Sequence, residues 1–327
     1  MNLLQRIIFF TLCVTYTINS FSQGTLPIYS DYLSDNVYLV HPSAAGIGNC
    51  GKARFTARQQ WAGIANSPAL QTLSFHTKLS EESNAGYGFI LFNDKNGYHS
   101  QKGVQGTYSY HLPLSDGRVF NQLSFGLSFT AVQNQSDQRA FVDPTVSQII
   151  ESSSYFNADF SVAYHLGGFS SYFTVKNLLL SAKNNLSSSL EPLDLRNYIL
   201  SLGYYFGEGD YIQLEPSAMI QFNEGTGERI ADLNIKAYKT FENTQIWAAL
   251  SYRRSFDAKA IQNSQYFSPI IGVNFNKLMF SYTYTKQTND ILLSNSGFHQ
   301  VSVGFDLFCR TPRAAACPNI NAAFGSF

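Results

Sequence analysis

From residue 52 onward, apolar and polar residues alternate in segment after segment. The clearest early case is 123–131. There Leu123, Phe125, Leu127, Phe129 and Ala131 interleave with Ser124, Gly126, Ser128 and Thr130. In 156–164, Phe156, Phe160 and Val162 oppose Asn157, Asp159 and Ser161. In 298–308, Val301, Val303, Phe305 and Leu307 oppose Gln300, Ser302, Gly304 and Asp306. A period of two is the signature of a strand with two unlike faces. The remaining segments are 54–60, 70–78, 87–92, 104–112, 171–176, 198–206, 212–222, 231–238, 246–253, 267–275 and 279–285. The pattern predicts about fourteen strands. Their lengths cluster near the roughly 9–11 residues that a tilted strand needs to cross a bilayer.

The connections support the same architecture. Those after even-numbered segments are mostly short, as at Leu166-Gly167-Gly168, Gly207 to Asp210, Thr240 to Asn243 and Asn276-Lys277. Those after odd-numbered segments are mostly longer: 93–103, 133–155, 177–197, 254–266 and 287–297. Outer-membrane barrels have short periplasmic turns and long outer loops. Both termini are therefore expected in the periplasm, and the fold class is all-β: a transmembrane antiparallel β-barrel.

Composition sharpens the choice between this barrel and a soluble sandwich, whose strands also alternate. Aromatic residues make up 15% of the chain and charged residues only 13%, about half the charged share of a soluble domain. The chain opens with Arg6, the apolar run 7–18 and Ser20-Phe21-Ser22, the pattern of a secretory signal peptide. Cys13 within it follows Leu12, not the small residue that lipidation needs. Net charge is zero, which argues against nucleic acid as a partner. The expected division is a signal peptide over 1–22, an irregular segment serving as a plug over 23–51, a barrel over 52–308 and a periplasmic tail over 309–327. Lipid of the outer membrane is the expected surrounding.

Candidate chemistry is sparse. No nucleophile elbow, zinc-protease helix or phosphate loop occurs, so the chain is expected to be neither an enzyme nor a cofactor or metal binder. His76 and His165 fall on inward rows, where water in the lumen would solvate them. Asp232 and Lys236 share an inward row and are candidates for a lumenal charge network. Arg54 and Arg58 share a face with Thr56 and Gln60. That face must point inward, because an arginine facing lipid at mid-depth costs roughly 2–4 kcal/mol. Their candidate acceptors are carbonyls of the irregular segment, Asp159 and Asp306. Trp61 is expected at the membrane interface. Of the three mature cysteines, Cys309 and Cys317 bracket a short loop and are the candidate disulfide pair. The tail 309–327 is expected to dock at the lower mouth or on a periplasmic partner.

One stretch carries a resemblance. His41-Pro42-Ser43-Ala44-Ala45-Gly46, then Arg58-Gln59-Gln60-Trp61-Ala62-Gly63, then Pro68 and Gln71-Thr72-Leu73-Ser74 resemble the opening of the PorP/SprF family. Its members show N-P-A-Y-A-G, R-x-Q-W-x-G and P-x-x-Q-T-L-S. Residues 36–40 resemble that family's lead-in. Here His41 replaces Asn, and Ser43-Ala44 replaces Ala-Tyr. The resemblance implies a non-enzymatic outer-membrane barrel of the type IX secretion and gliding machinery. It implies help in exporting or anchoring cargo such as gliding adhesins, through the cargo's C-terminal signal domain, together with periplasmic secretion components or a lipoprotein. The alternative from another class is a FadL-like channel for hydrophobic solutes, which would need an apolar pocket beneath the outer loops. The small, polar inward rows count against that channel. A general porin would want rings of charge that this chain lacks.

Overall fold

The computed structural model describes residues 36–61, 67–80, 83–115, 120–139, 150–179, 196–207, 211–225, 227–256, 264–288 and 297–310. The expected signal peptide over 1–22, residues 23–35, Glu81-Glu82, Cys317 and the residues beyond Arg310 lie outside them.

Fourteen strands close on themselves. They are β1 (Gly51–Gln60), β2 (Ala69–Lys78), β3 (Ala85–Asn96), β4 (His99–Pro113), β5 (Asn121–Asp137), β6 (Ile150–Leu166) and β7 (Phe169–Lys176). They continue as β8 (Asn197–Tyr204), β9 (Gln213–Asn223), β10 (Arg229–Phe241), β11 (Thr244–Phe256), β12 (Gln265–Phe275), β13 (Leu278–Gln287) and β14 (Phe298–Leu307). Each strand pairs antiparallel with its sequence neighbours. β1 closes on β14, with Gly51 opposite Leu307 and Gln60 opposite Phe298. Closure leaves no open edge, the condition a sheet must meet to stand in lipid.

Register sorts the side chains as the alternation demands. Phe55, Leu73, Phe89, Leu91, Phe125, Leu127, Phe129, Leu233 and Phe280 are exposed on the outer wall. Thr56, Thr72, Ser74, Ser124, Ser128, Ser161 and Ser302 are buried inside. Such a surface is inverted relative to a soluble domain, and lipid is the solvent that suits it.

The strands differ in height. β5 and β6 each run 17 residues, well beyond what a crossing needs, whereas β7 and β8 have 8 each. The lower rim carries the tight turns at 167–168, 242–243 and 276–277. One expected long connection is instead a tight turn on the upper rim. Residues 93–103 are mostly strand, and β3 and β4 pair to Asn96 opposite His99 around Gly97-Tyr98. Gly97 there has φ +61°, a conformation glycine adopts without steric cost. Polar residues on both faces above the lipid band hid these strand extensions from the alternation.

Candidate functional site

Residues 36–50 lie inside the barrel. They form two single-turn 3-10 helices, Val37–Leu39 and Pro42–Ala44, joined through Val40 and His41. Pro42 at the first turn of the second helix suits its fixed φ and missing donor. Tyr38, Leu39, Val40, His41, Ser43, Ala44 and Ala45 are all buried. An irregular segment exposes backbone groups that must be satisfied in place. Here the segment meets them partly with its own turns, and partly with hydroxyls of the wall.

The wall contacts come from five strands, β2, β4, β6, β7 and β8. Asn36 Nδ2 donates to Ser74 Oγ at 2.9 Å, and Tyr38 Oη donates to Thr107 Oγ1 at 2.8 Å. The two ring nitrogens of His41 lie 2.7 Å from Thr174 Oγ1 and 2.8 Å from Ser201 Oγ. The Ser43 amide donates to Ser161 Oγ at 3.3 Å. Ser109 Oγ donates to the Ala45 carbonyl at 2.6 Å, with His111 Nε2 on the same oxygen at 2.9 Å. The Gly46 amide donates to His76 Nδ1 at 3.0 Å. Lys176 Nζ donates to the Leu39 carbonyl at 3.1 Å. Each such bond is worth about 1 kcal/mol net, and more is lost when one buried partner is left alone.

Apolar contacts add to this. Tyr38, Leu39, Ala44, Ala45 and Ile47 cluster with Ile90, Ala163 and Tyr172. Val40 packs with Ile199 and Met219. The His41 and Tyr172 rings stack, with centroids 4.9 Å apart. Burial lowers the pKa of His41 to about 3, helped by the nearby charge of Lys176. The imidazole is therefore neutral, able to donate from one nitrogen and accept at the other. Burial also pushes the Tyr38 phenol up, so it stays a donor.

The inward rows are shaped to the segment. A Cβ on Gly126 would run into the Pro42 carbonyl carbon and the Ser43 amide, and one on Gly86 into the Ala45 carbonyl. Gly46 itself has φ +72° and lies against Gly86. Two glycines thus allow backbone to meet backbone.

The other side of the lumen is filled differently. Arg253 clasps Asp232 with two bonds of 2.6 Å. Lys236 Nζ sits 4.0 Å from the Trp247 ring centroid and 4.8 Å from that of Tyr238, while Tyr238 bonds Glu215. Tyr205, Tyr238, Trp247, Ala249 and Ile270 form one cluster. A cavity of about 100 Å³ lies between this cluster and the segment. Tyr38, His41, Lys52, Glu215, Lys236 and Tyr238 are among the residues around it.

Arg54 is buried and its Nη2 lies 2.8 Å from Asp306 Oδ1. Further bonds reach the carbonyls of Ala53 and Phe305. Arg58 is buried within electrostatic reach of Asp94. Asp159 lies elsewhere, accepting the Asn177 amide at 2.9 Å, with its charge felt by Lys176. Trp61 sits at the upper end of β1, donates its amide to the Gly297 carbonyl and turns its ring edge-on to Phe298. His165 is not water-solvated as expected; its Nε2 lies 2.8 Å from Tyr172 Oη. His76 likewise has a protein partner. The expected Cys309–Cys317 disulfide is corrected: Cys309 is bonded to Cys50. Closure of the barrel sets Gly51 beside Leu307, so residues far apart in sequence become neighbours in space. Arg310 reinforces that corner, donating to the Ser80 and Lys78 carbonyls.

Sequence reasoning missed His41, Lys176 and Arg253 as site residues. The signal for His41 was its place in the turn motif. Lys176 and Arg253 needed only inward parity. The described residues hold no group of His, Cys, Asp and Glu suited to a metal.

Among solved structures, the chain is similar to an outer-membrane protein, Omp33, of Acinetobacter baumannii. Identity is 7%, covering 80% of this chain and 100% of that one, with a TM-score of 0.43. It is also similar to a FadL homologue of Pseudomonas aeruginosa, at 10% identity, 84% and 94% coverage and a TM-score of 0.49. BamA of Haemophilus ducreyi lacking POTRA domains 1–3 gives 10% identity, 79% and 70% coverage and a TM-score of 0.41. A comparison with curated proteins gives no match. A family model described as type IX secretion system membrane protein PorP/SprF matches residues 21–305.

Proposed function

Since the chain belongs to the PorP/SprF family of type IX secretion system membrane proteins, we propose that it is a plugged, non-enzymatic docking barrel of that system in the outer membrane. It assists export or surface anchoring of cargo such as gliding adhesins by engaging their C-terminal signal domain. Both termini face the periplasm, where secretion components or a lipoprotein reach the lower rim. Signal peptide 1–22 and tail 309–327 complete this arrangement, with the tail as a candidate contact for those components.

The observation that carries the proposal is the occupied lumen. Residues 36–50 are bonded to β2, β4, β6, β7 and β8 and rooted by Cys50–Cys309. A polypeptide threading this lumen would have to break those bonds together. Cargo contact therefore belongs to the rims, and the tall upper wall of β3 to β6 offers the largest surface. A channel for hydrophobic solutes is less well supported, because the cavity beside the plug is edged by Lys52, Glu215 and Lys236.

The test is co-purification of the barrel with a cargo C-terminal domain from cells. Shortening the upper loops at 140–149 and 181–195 should abolish it and reduce cargo at the surface, while the barrel still folds. Full surface display without this protein would sink the proposal. Orientation is checked separately, by labelling a cysteine placed in the upper loops of intact cells, with one at 207–210 staying unlabelled.

A further inference from the structure

Charge on the outer wall is confined almost entirely to one rim. The strands' outward rows carry Lys95, Lys102, Arg229, Arg254 and Lys286 at the upper rim. Arg139 follows just past the end of β5. At the lower rim the outward rows hold Lys239 and are otherwise apolar or neutral among the described residues. The strands' acids point almost wholly inward: Asp94, Glu151, Asp159, Glu215, Asp232 and Asp306 share rows with buried lumen residues. Asp137 is the outward exception within the strands, held by Arg139 through bonds of 2.7 and 2.9 Å; just past β9, Glu224 accepts from Tyr198 Oη at 2.9 Å and lies 3.5 Å from Arg196 Nη1.

Depth gives the cations a meaning. Lys102 stands immediately above the lipid-facing Val104, Tyr108, Tyr110 and Leu112 of β4. Across the turn, Lys95 pairs with Ser100 and Asn93 with Lys102. The two lysines are thus diagonal neighbours on one face, roughly 7–8 Å apart. Arg229 lies over the Phe222 ring at 5.9 Å and Arg254 over Phe256 at 5.2 Å. Their stems cover aromatic surface and their heads reach the boundary, the geometry of snorkelling. Lys95, Lys102, His99 and Arg139 also border a cavity of about 650 Å³ that opens beside the hairpin tip. Nothing in the described residues beyond Asp137 opposes this charge there. Basic side chains at an anionic membrane surface each add to binding. Arginine and lysine at close spacing suit phosphate oxygens.

We propose that the Lys95–Lys102–Arg139 cavity is a binding site for the phosphates of a glycolipid in the adjoining leaflet, the lipid A moiety of lipopolysaccharide. Arg229, Arg254 and Lys286 extend the same contact around the rim. The source of the phosphate rests on the upper rim facing outward, as in the proposed function. The lipid anchors the tall wall upright and fixes how far it stands above the membrane.

The experiment uses the full chain in nanodiscs of phosphatidylethanolamine, titrated with purified diphosphorylated lipid A and read by native mass spectrometry. Lys95→Gln/Lys102→Gln/Arg139→Gln should weaken lipid A binding at least tenfold, with folding confirmed by heat-modifiable mobility. Lys239→Gln at the lower rim should leave it unchanged, and dephosphorylated lipid A should bind wild type no better than it binds the triple variant. Equal binding by the triple variant would overturn the site. Inorganic phosphate binding as tightly as lipid A would overturn the lipid assignment. A Gly97→Cys label that appears only in lysed cells, with lipid A binding intact, would refute the orientation and leave the phosphate site standing.

Discussion

The two halves of this lumen are filled by different means. From β2 to β8 the inward rows facing the plug are rich in small residues, among them Gly86, Gly88, Ser109, Ser124, Gly126, Ser128, Ser161 and Thr174, with His76, His111, Tyr172 and Lys176 set between them to contact it. A folded backbone takes up the space they leave. From β10 round to β1 the inward rows carry Lys236, Tyr238, Trp247, Arg253, Met279, Phe298, Gln300 and Arg54. There the side chains reach across and pack on one another. An outer barrel of one construction thus closes its interior by two routes. A run of small inward residues is the trace of something else inside.

The contrast can be broken hardest at the glycines. Gly126→Leu places its side chain on the backbone of Pro42 and Ser43, which cannot step aside. The expected outcome is expulsion of residues 36–50, seen as protease sensitivity and a rise in conductance from a barrel that still inserts. Gly304→Ala on the other half meets the Arg54 side chain rather than backbone, and a loss of about 1–3 kcal/mol in urea unfolding, with the segment still held, is expected. Equal effects at the two sites would erase the distinction.

The next largest effect lies in the side-chain-filled half. Arg253→Ala leaves Asp232 buried without its clasp, a loss of roughly 3–5 kcal/mol. Replacing both by apolar residues of similar volume should recover most of that loss. Urea unfolding of the single and double variants measures the difference. Segment 36–50 should stay protected from protease in both.

Reduction of Cys50–Cys309 frees the root of the plug from the closing corner of the barrel. A loss of about 2–4 kcal/mol is expected, read as a lower unfolding midpoint in reductant, with Cys317→Ser giving the same result as wild type.

The smallest effect is that of pH. His41 has a folded pKa of about 3 against an ordinary 6.5. Between those values the unfolded chain holds more protons than the folded one. Stability is therefore complete above about pH 6.5 and falls as pH drops. At pH 5 the loss is about 2 kcal/mol, borne by plug docking. His41→Asn should make this slope shallower by His41's share, the other buried histidines His111 and His165 staying in place, and an unchanged slope would remove His41 from the account.

Much of this fold was legible in the chain. Alternation and loop phase placed all fourteen strands, because lipid outside and polar groups inside impose one rule on every crossing. The tall ends of β3 to β6 escaped, since above the membrane both faces are polar and the period disappears. Arg54 and Arg58 were legible as inward from the cost of facing lipid. The partner of Cys309 was not, because barrel closure joins the two ends of the sequence and spacing along the chain says nothing of it. His76 and His165 looked like solvated lumen residues for a related reason: parity gives the face of a strand, not what fills the space before it.

Planar-bilayer conductance of the wild-type protein and of a deletion of residues 24–48 tests the plugged lumen most directly. Near-silent wild-type channels, opened to a large and steady conductance by the deletion, are the expected result. A wild-type conductance that is already large, and that the deletion leaves unchanged, would contradict the account.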